Sequence, residues 1–189
     1  MNLNYSDEQQ MLRDQIEKFC KSDYSFEKRE AIIKSENGYD LNLWKMFSEL
    51  GWLSLPFKEE TGGLGYGPVE LTILFEEFGK VLVVEPYLST VVISGSILDN
   101  SNFGNKSKFI DTIISGEKHI SLAYIESNQK FDHLSPSTIA IREGNNFIVN
   151  GMKSLVLNGS NADHIITSVM LDDEFALVLI DQGVSGYSL

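Results

Sequence analysis

Apolar residues recur at helical spacing through roughly the first 117 positions and then fall into short β-prone runs. Ser6 followed by Asp7, Glu8 and Gln9 is an N-cap with a glutamine placed to close a capping box. Met11, Leu12, Ile16 and Phe19 then predict a helix of about four turns with one apolar stripe. Ser22 to Ser35 is a looser stretch of mixed charge, ended by Asn37-Gly38. From Leu41, the residues Leu43, Trp44, Phe47 and Leu50 predict a second helix that Gly51 stops. Trp52 to Pro56 reads as short, apolar and extended. After a glycine-rich loop (Gly62, Gly63, Gly65, Gly67), Pro68 opens a helix running from Val69 to Val81, with Leu71, Leu74, Phe75 and Phe78 on one face. Tyr87 to Leu98 is nearly apolar all round and is expected at the centre of a helical bundle. Lys106 to Ser115 predicts the last helix, closed by Gly116.

Beyond Gly116, six β-prone runs follow: Ile120–Ile125, Thr138–Ile141, Phe147–Val149, Lys153–Leu157, His164–Met170 and Phe175–Ile180. Gly144-Asn145, Asn150-Gly151 and Asp172-Asp173 separate some of them. Asn150-Gly151 is the pair that a two-residue type I′ turn favours, so Phe147–Leu157 reads as a hairpin ending at Asn158-Gly159. The expected fold class is α+β: an all-helical bundle domain over residues 1–117, then an incomplete antiparallel β-barrel or sandwich over residues 118–189.

The chemistry visible in the residues narrows the function. A net charge of −12 excludes a nucleic-acid partner, because phosphate neutralisation needs clustered cations. It also disfavours an anionic substrate, unless local cations such as Lys130 or Lys153 offset it. No apolar run reaches the about 18 residues a membrane-spanning helix needs, so no membrane insertion is expected. The N-terminus lacks the basic and apolar regions of a signal peptide, and the single Cys20 cannot form an intrachain disulfide. A reducing, cytoplasmic setting is expected. Cys20 reads as a buried structural thiol and Glu76-Glu77 as a solvated helix face. His119, His133 and His164 are too scattered to predict a metal site. The four glycines lack a Walker or Gly-x-Gly-x-x-Gly context and read as an interhelical loop.

Leu50 to Gly67, then Glu70 and Leu74 to Gly79, resemble the acyl-CoA dehydrogenase pattern "LGxLxxPxxxGGxG…E…EELG", and Leu122 to Glu126 resembles its "LAxxE" strand. The resemblance covers essentially the whole chain. Within the family it is nearest to the small subunits of heteromeric enzymes of the pimeloyl-CoA dehydrogenase type. It implies FAD as cofactor, an acyl-CoA substrate, α,β-dehydrogenation, and a homo- or hetero-oligomer with another subunit of the family. It implies flavin contacts at Leu122, Tyr124, Ile125, Phe131, Leu155, Val156 and Leu157, and substrate contacts at Tyr87, Leu88 and Val91.

The chain departs from that pattern where the flavin is touched. Ile125 and Phe131 stand where the family has a threonine and a serine, Leu155 replaces a tryptophan, and Leu157 replaces a hydroxyl residue. Flavin binding is therefore expected to be weak, or supplied at a subunit interface. The family's catalytic base lies in a C-terminal helical bundle, and no residue here matches it. No catalytic residue is assigned, and the expected role is either the N-terminal part of a dehydrogenase not competent alone, or a non-catalytic partner subunit with a degraded flavin site.

Overall fold

A computed structural model describes residues 4–127, 132–144 and 146–189. The chain divides into two compact units, the first comprising residues up to Tyr87 together with Leu98–Glu117, the second Leu88–Ile97 with Lys118–Leu189.

The first unit is helical. In α1 (Asp7–Asp23) the Ser6 hydroxyl accepts from the Gln9 amide at 3.2 Å while the Gln9 side chain accepts from the Ser6 amide at 2.9 Å. This capping box satisfies two amides that the helix start leaves open. Ile16, Phe19 and Cys20 are its buried side. The stretch read as loose contains α2 (Phe26–Ile33), capped by Ser25. Only Ile32 of that helix is buried, so it leaves almost no apolar period to detect. In α3 (Leu41–Glu49) the Asp40 carboxylate caps the start, and Leu43, Trp44 and Phe47 face inward.

Trp52–Ser54 is a 3-10 turn rather than an extended segment. Gly51 enters it at φ 77°, and the Ser54 hydroxyl donates back to the Gly51 carbonyl at 2.8 Å. The turn delivers the Trp52 ring to Phe19, Phe47 and Phe78, with centroids 5.1 to 5.7 Å apart, and this aromatic cluster is the core of the unit. In the glycine-rich loop the amides of Leu64, Gly65 and Tyr66 donate to the carbonyls of Ser54, Phe57 and Leu55, so they are committed to the chain itself.

In α4 (Pro68–Val81), Glu77 is buried rather than solvated. Arg13 Nε reaches its carboxylate at 3.0 Å and Lys80 Nζ at 2.6 Å, which compensates the burial of the charge. After α5 (Ser96–Asn100) and α6 (Lys106–Ile114), Gly116 closes the helical part at φ 74°.

In the second unit, Leu88–Gly95 forms a π-helix packed on β1 (Ile120–Ala123), so this segment lies with the sheet and not at a bundle centre. The described strands are β1, β2 (Ile139–Glu143), β3 (Asn146–Asn150), β4 (His164–Leu171) and β5 (Glu174–Asp181). β4 is central, and Ile165 through Val169 are all buried. β5 pairs antiparallel along its whole length. The other edge of β4 is shared end to end by two parallel neighbours, β1 against His164–Thr167 and β2 against Met170–Leu171.

The fold class is α+β with an open sheet, and that sheet is mixed where an antiparallel one was expected. The excursion from residue 124 to residue 163 is long enough to return the chain parallel to β1.

The hairpin expected around Asn150-Gly151 is absent. β3 pairs instead with β2, Ile139 opposite Asn150 and Glu143 opposite Asn146, and residues 153–157 form no strand. Gly151 does not take the positive φ of a type I′ turn, and a Cβ there would overlap the Thr138 side chain. Its glycine serves close approach, not reversal.

Candidate functional site

Immediately after β1, Tyr124, Ile125 and Glu126 leave the sheet and meet the strip 153–157. The Ser154 amide donates to the Ile125 carbonyl at 2.8 Å. Beside this bond lies a buried ion pair, Lys153 Nζ to Glu126 Oε1 at 2.7 Å, with both side chains no more than 7 % exposed. The Glu126 carboxylate also accepts from the Thr138 amide (3.0 Å), the Thr138 hydroxyl (2.6 Å) and the Ser137 amide (2.7 Å), while Lys153 donates to Ser168 Oγ of β4 at 2.9 Å. Burial alone would raise the Glu126 carboxyl, but Lys153, Thr138 and Ser137 outweigh it and hold the group down to about 2. Lys153 is therefore committed inward and does not offset the charge of an anionic substrate, as the sequence reading had it. Lys130 and Phe131 lie outside the described residues.

Along the strip, Leu155 has φ 54° and is 83 % exposed, and Leu157 is 56 % exposed. Val156 between them turns the other way and packs against Ala123, Ala162 and Ile165. Tyr124 is partly exposed, its ring edge-on to His133 at 5.1 Å. The structure thus gathers Tyr124, Ile125, Leu155, Val156 and Leu157 into one shelf. Leu122 is half-buried within β1, opposite Ile166. Tyr87 belongs to the first unit, where it is buried and donates its hydroxyl to the Trp52 carbonyl at 2.8 Å. Leu88 is exposed and Val91 buried on the π-helix of the second unit.

The shelf suits a flat apolar group such as the isoalloxazine of a flavin. Its exposed side chains supply contact surface, and no described residue accepts from the amides of Leu155, Val156 or Leu157. Asn158 Nδ2, buried at the end of the strip, has no partner among the described residues. Hydroxyl side chains do not contribute at positions 125, 155 and 157.

Sequence reasoning missed the Lys153–Glu126–Thr138–Ser168 network. Glu126 and Lys153 both lie in the segments that carry the family resemblance, but only the fold shows them paired. Elsewhere in this unit, burial depresses His119 to about 4, with Asp163 pulling weakly the other way. Among the described residues no group of three or more His, Cys, Asp or Glu is placed to hold a metal, and no helix is long and apolar enough to cross a membrane.

Residues 6–117 match the family model "Acyl-CoA dehydrogenase, N-terminal domain". The acyl-CoA dehydrogenase FadE29 of Mycobacterium tuberculosis is 28 % identical over 196 residues, covering 100 % of this chain and 50 % of that protein. The ChsE4-ChsE5 complex of the same organism superposes with a TM-score of 0.86 at 22 % identity, over 98 % of this chain and 50 % of the matched one. An acyl-CoA dehydrogenase of Bacillus anthracis complexed with FAD gives 0.83 at 25 % identity, over 97 % of this chain and 32 % of that one. The chain spans about half the length of the curated relatives it matches.

Proposed function

This chain belongs to the acyl-CoA dehydrogenase family, and from that premise we propose that it supplies the helical and sheet part of an FAD-dependent enzyme that dehydrogenates the α,β bond of an acyl-CoA thioester. The observation that carries the reading is the shelf: two segments far apart in sequence, each resembling a flavin-facing motif, are joined by the Ser154–Ile125 hydrogen bond and the Lys153–Glu126 pair. Leu122, Tyr124, Ile125, Leu155, Val156 and Leu157 would hold the flavin, with Phe131 added by the resemblance. Held by these residues, FAD would supply the hydride-accepting chemistry that α,β-dehydrogenation needs. Tyr87, Leu88 and Val91 are the proposed acyl contacts.

The shelf's own carboxylate does not serve as the base. Glu126, held near 2 and accepting four hydrogen bonds, is too weakly basic to take an α-proton. A second subunit of the same family is the proposed partner; ChsE4-ChsE5, of like fold, is itself a complex.

A second reading is favoured by Ile125, Leu155 and Leu157: a non-catalytic subunit whose flavin site has decayed and whose partner does the chemistry. Both are tested by purifying the natural gene product alone and with its co-expressed partner. The visible absorbance of bound flavin and acyl-CoA-dependent reduction of an artificial acceptor are then read. Flavin that depends on this chain's shelf supports the first reading, and flavin confined to the partner supports the second. A colourless, inactive assembly would sink both.

A further inference from the structure

The strip 153–157 carries two exposed leucines on backbone that makes no strand ladder, and Leu155 holds a positive φ that costs an L residue energy. Such a segment keeps one conformation only if its surroundings over-determine it. Here the surroundings are polar and buried. The Glu126 carboxylate gathers donors from residues 137, 138 and 153, and Lys153 extends the link to Ser168 on the central strand. Four chain segments thus meet at one ion pair directly beneath the shelf. An apolar pair of equal volume would fill the space but would not fix the register of residue 154 against residue 125.

We propose that Lys153 and Glu126 are positioning residues, which hold the strip 153–157 against Tyr124–Glu126 in the geometry that receives a planar cofactor. This rests on the flavin reading above for the identity of the ligand, but not for the ordering of the strip. Removing the ammonium leaves a buried carboxylate without its cation, and the cheapest relief is for residues 151–157 to lift into water, exposing Glu126. The β4–β5 pairing, which does not depend on the ion pair, stays closed.

The test is hydrogen exchange by mass spectrometry on the 189-residue chain, comparing wild type, Lys153→Met, Lys153→Arg and Val169→Ala. The last opens a cavity on the face of β4 opposite to Ser168 and controls for general loss of stability. Expected is a roughly tenfold rise in exchange at the Ser154 amide, the one the strip bonds to Ile125, in Lys153→Met, with residues 174–181 unchanged and Lys153→Arg near wild type. FAD titration of the co-expressed assembly should show roughly tenfold weaker binding for Lys153→Met and no such loss for Val169→Ala. Unchanged exchange at the Ser154 amide would overturn the proposal, as would raised exchange with flavin affinity no worse than that of Val169→Ala. If wild type takes up no flavin in any assembly, the flavin reading fails, and the exchange data alone then decide the ordering role.

Discussion

Leu157→Thr is the substitution that most directly probes the shelf. Leu157 is 56 % exposed, so more than half its surface is already in water. Full burial of a leucine is worth about 1.5–3 kcal/mol, and truncation here should cost the fold on the order of 1 kcal/mol or less. The threonine hydroxyl adds a donor where the resemblance places one against the flavin. A hydrogen bond to a heteroatom otherwise left unsatisfied is worth about 1–3 kcal/mol. FAD binding should therefore tighten roughly five- to a hundredfold, at about 1.4 kcal/mol per tenfold. The assay is quenching of flavin fluorescence on titration into the assembly, with thermal unfolding of the flavin-free protein as the check on stability. Leu177→Thr, at a comparably exposed position on β5, is the control and should give no gain. Affinity that moves less than twofold, or equally in the two variants, would refute the claim that position 157 faces the ring.

In the first unit, Arg13→Ala with Lys80→Ala leaves the buried Glu77 carboxylate without a partner and should destabilise the protein in urea unfolding by more than either single change. Glu77→Gln should cost clearly less, since both cations reach water. His119, held near 4 in the folded chain against an ordinary 6.5, binds its proton more readily when unfolded. Stability should therefore fall as pH drops from 6.5 toward 4, by about 3 kcal/mol at most, and His119→Gln should flatten that limb of a pH–stability curve. Ile139, Met170 and Phe175 line up across β2, β4 and β5, and with Ile141 and Leu177 they leave an apolar sheet face open. Ile141→Lys with Phe175→Lys should reduce concentration-dependent self-association in sedimentation velocity.

The helices α1, α3 and α4 were legible because apolar residues recur at helical spacing, although Met11 and Phe75, read as part of the inward faces, are exposed. The caps at Ser6 and Asp40 and the Pro68 start mark where that repetition begins. α2 was not legible, because one buried isoleucine among charged residues makes no pattern. Glu77 was misread for a related reason. Its neighbour Glu76 is exposed, and a carboxylate's burial depends on Arg13, 64 residues away, rather than on local spacing. Trp52–Ser54 shows the limit of an apolar run shorter than one turn, which fits a strand and a 3-10 turn equally.

At the shelf the same limit acts with a different result. Leu155 to Leu157 alternates as a strand does, Val156 facing the core between two outward leucines, yet it forms no ladder. Alternation records which side chains point inward, and an isolated strip satisfies that as well as a paired strand. What replaces the ladder is the Glu126–Lys153 network, whose members come from separate segments and share no spacing that a sequence pattern could reveal. The arrangement separates two jobs. Buried polar residues set the position of the strip, and the exposed residues 155 and 157 set what it offers to a ligand. Since those two contribute little to the core, apolar residues there leave the fold standing, and on the flavin reading proposed above it is cofactor affinity alone that they change.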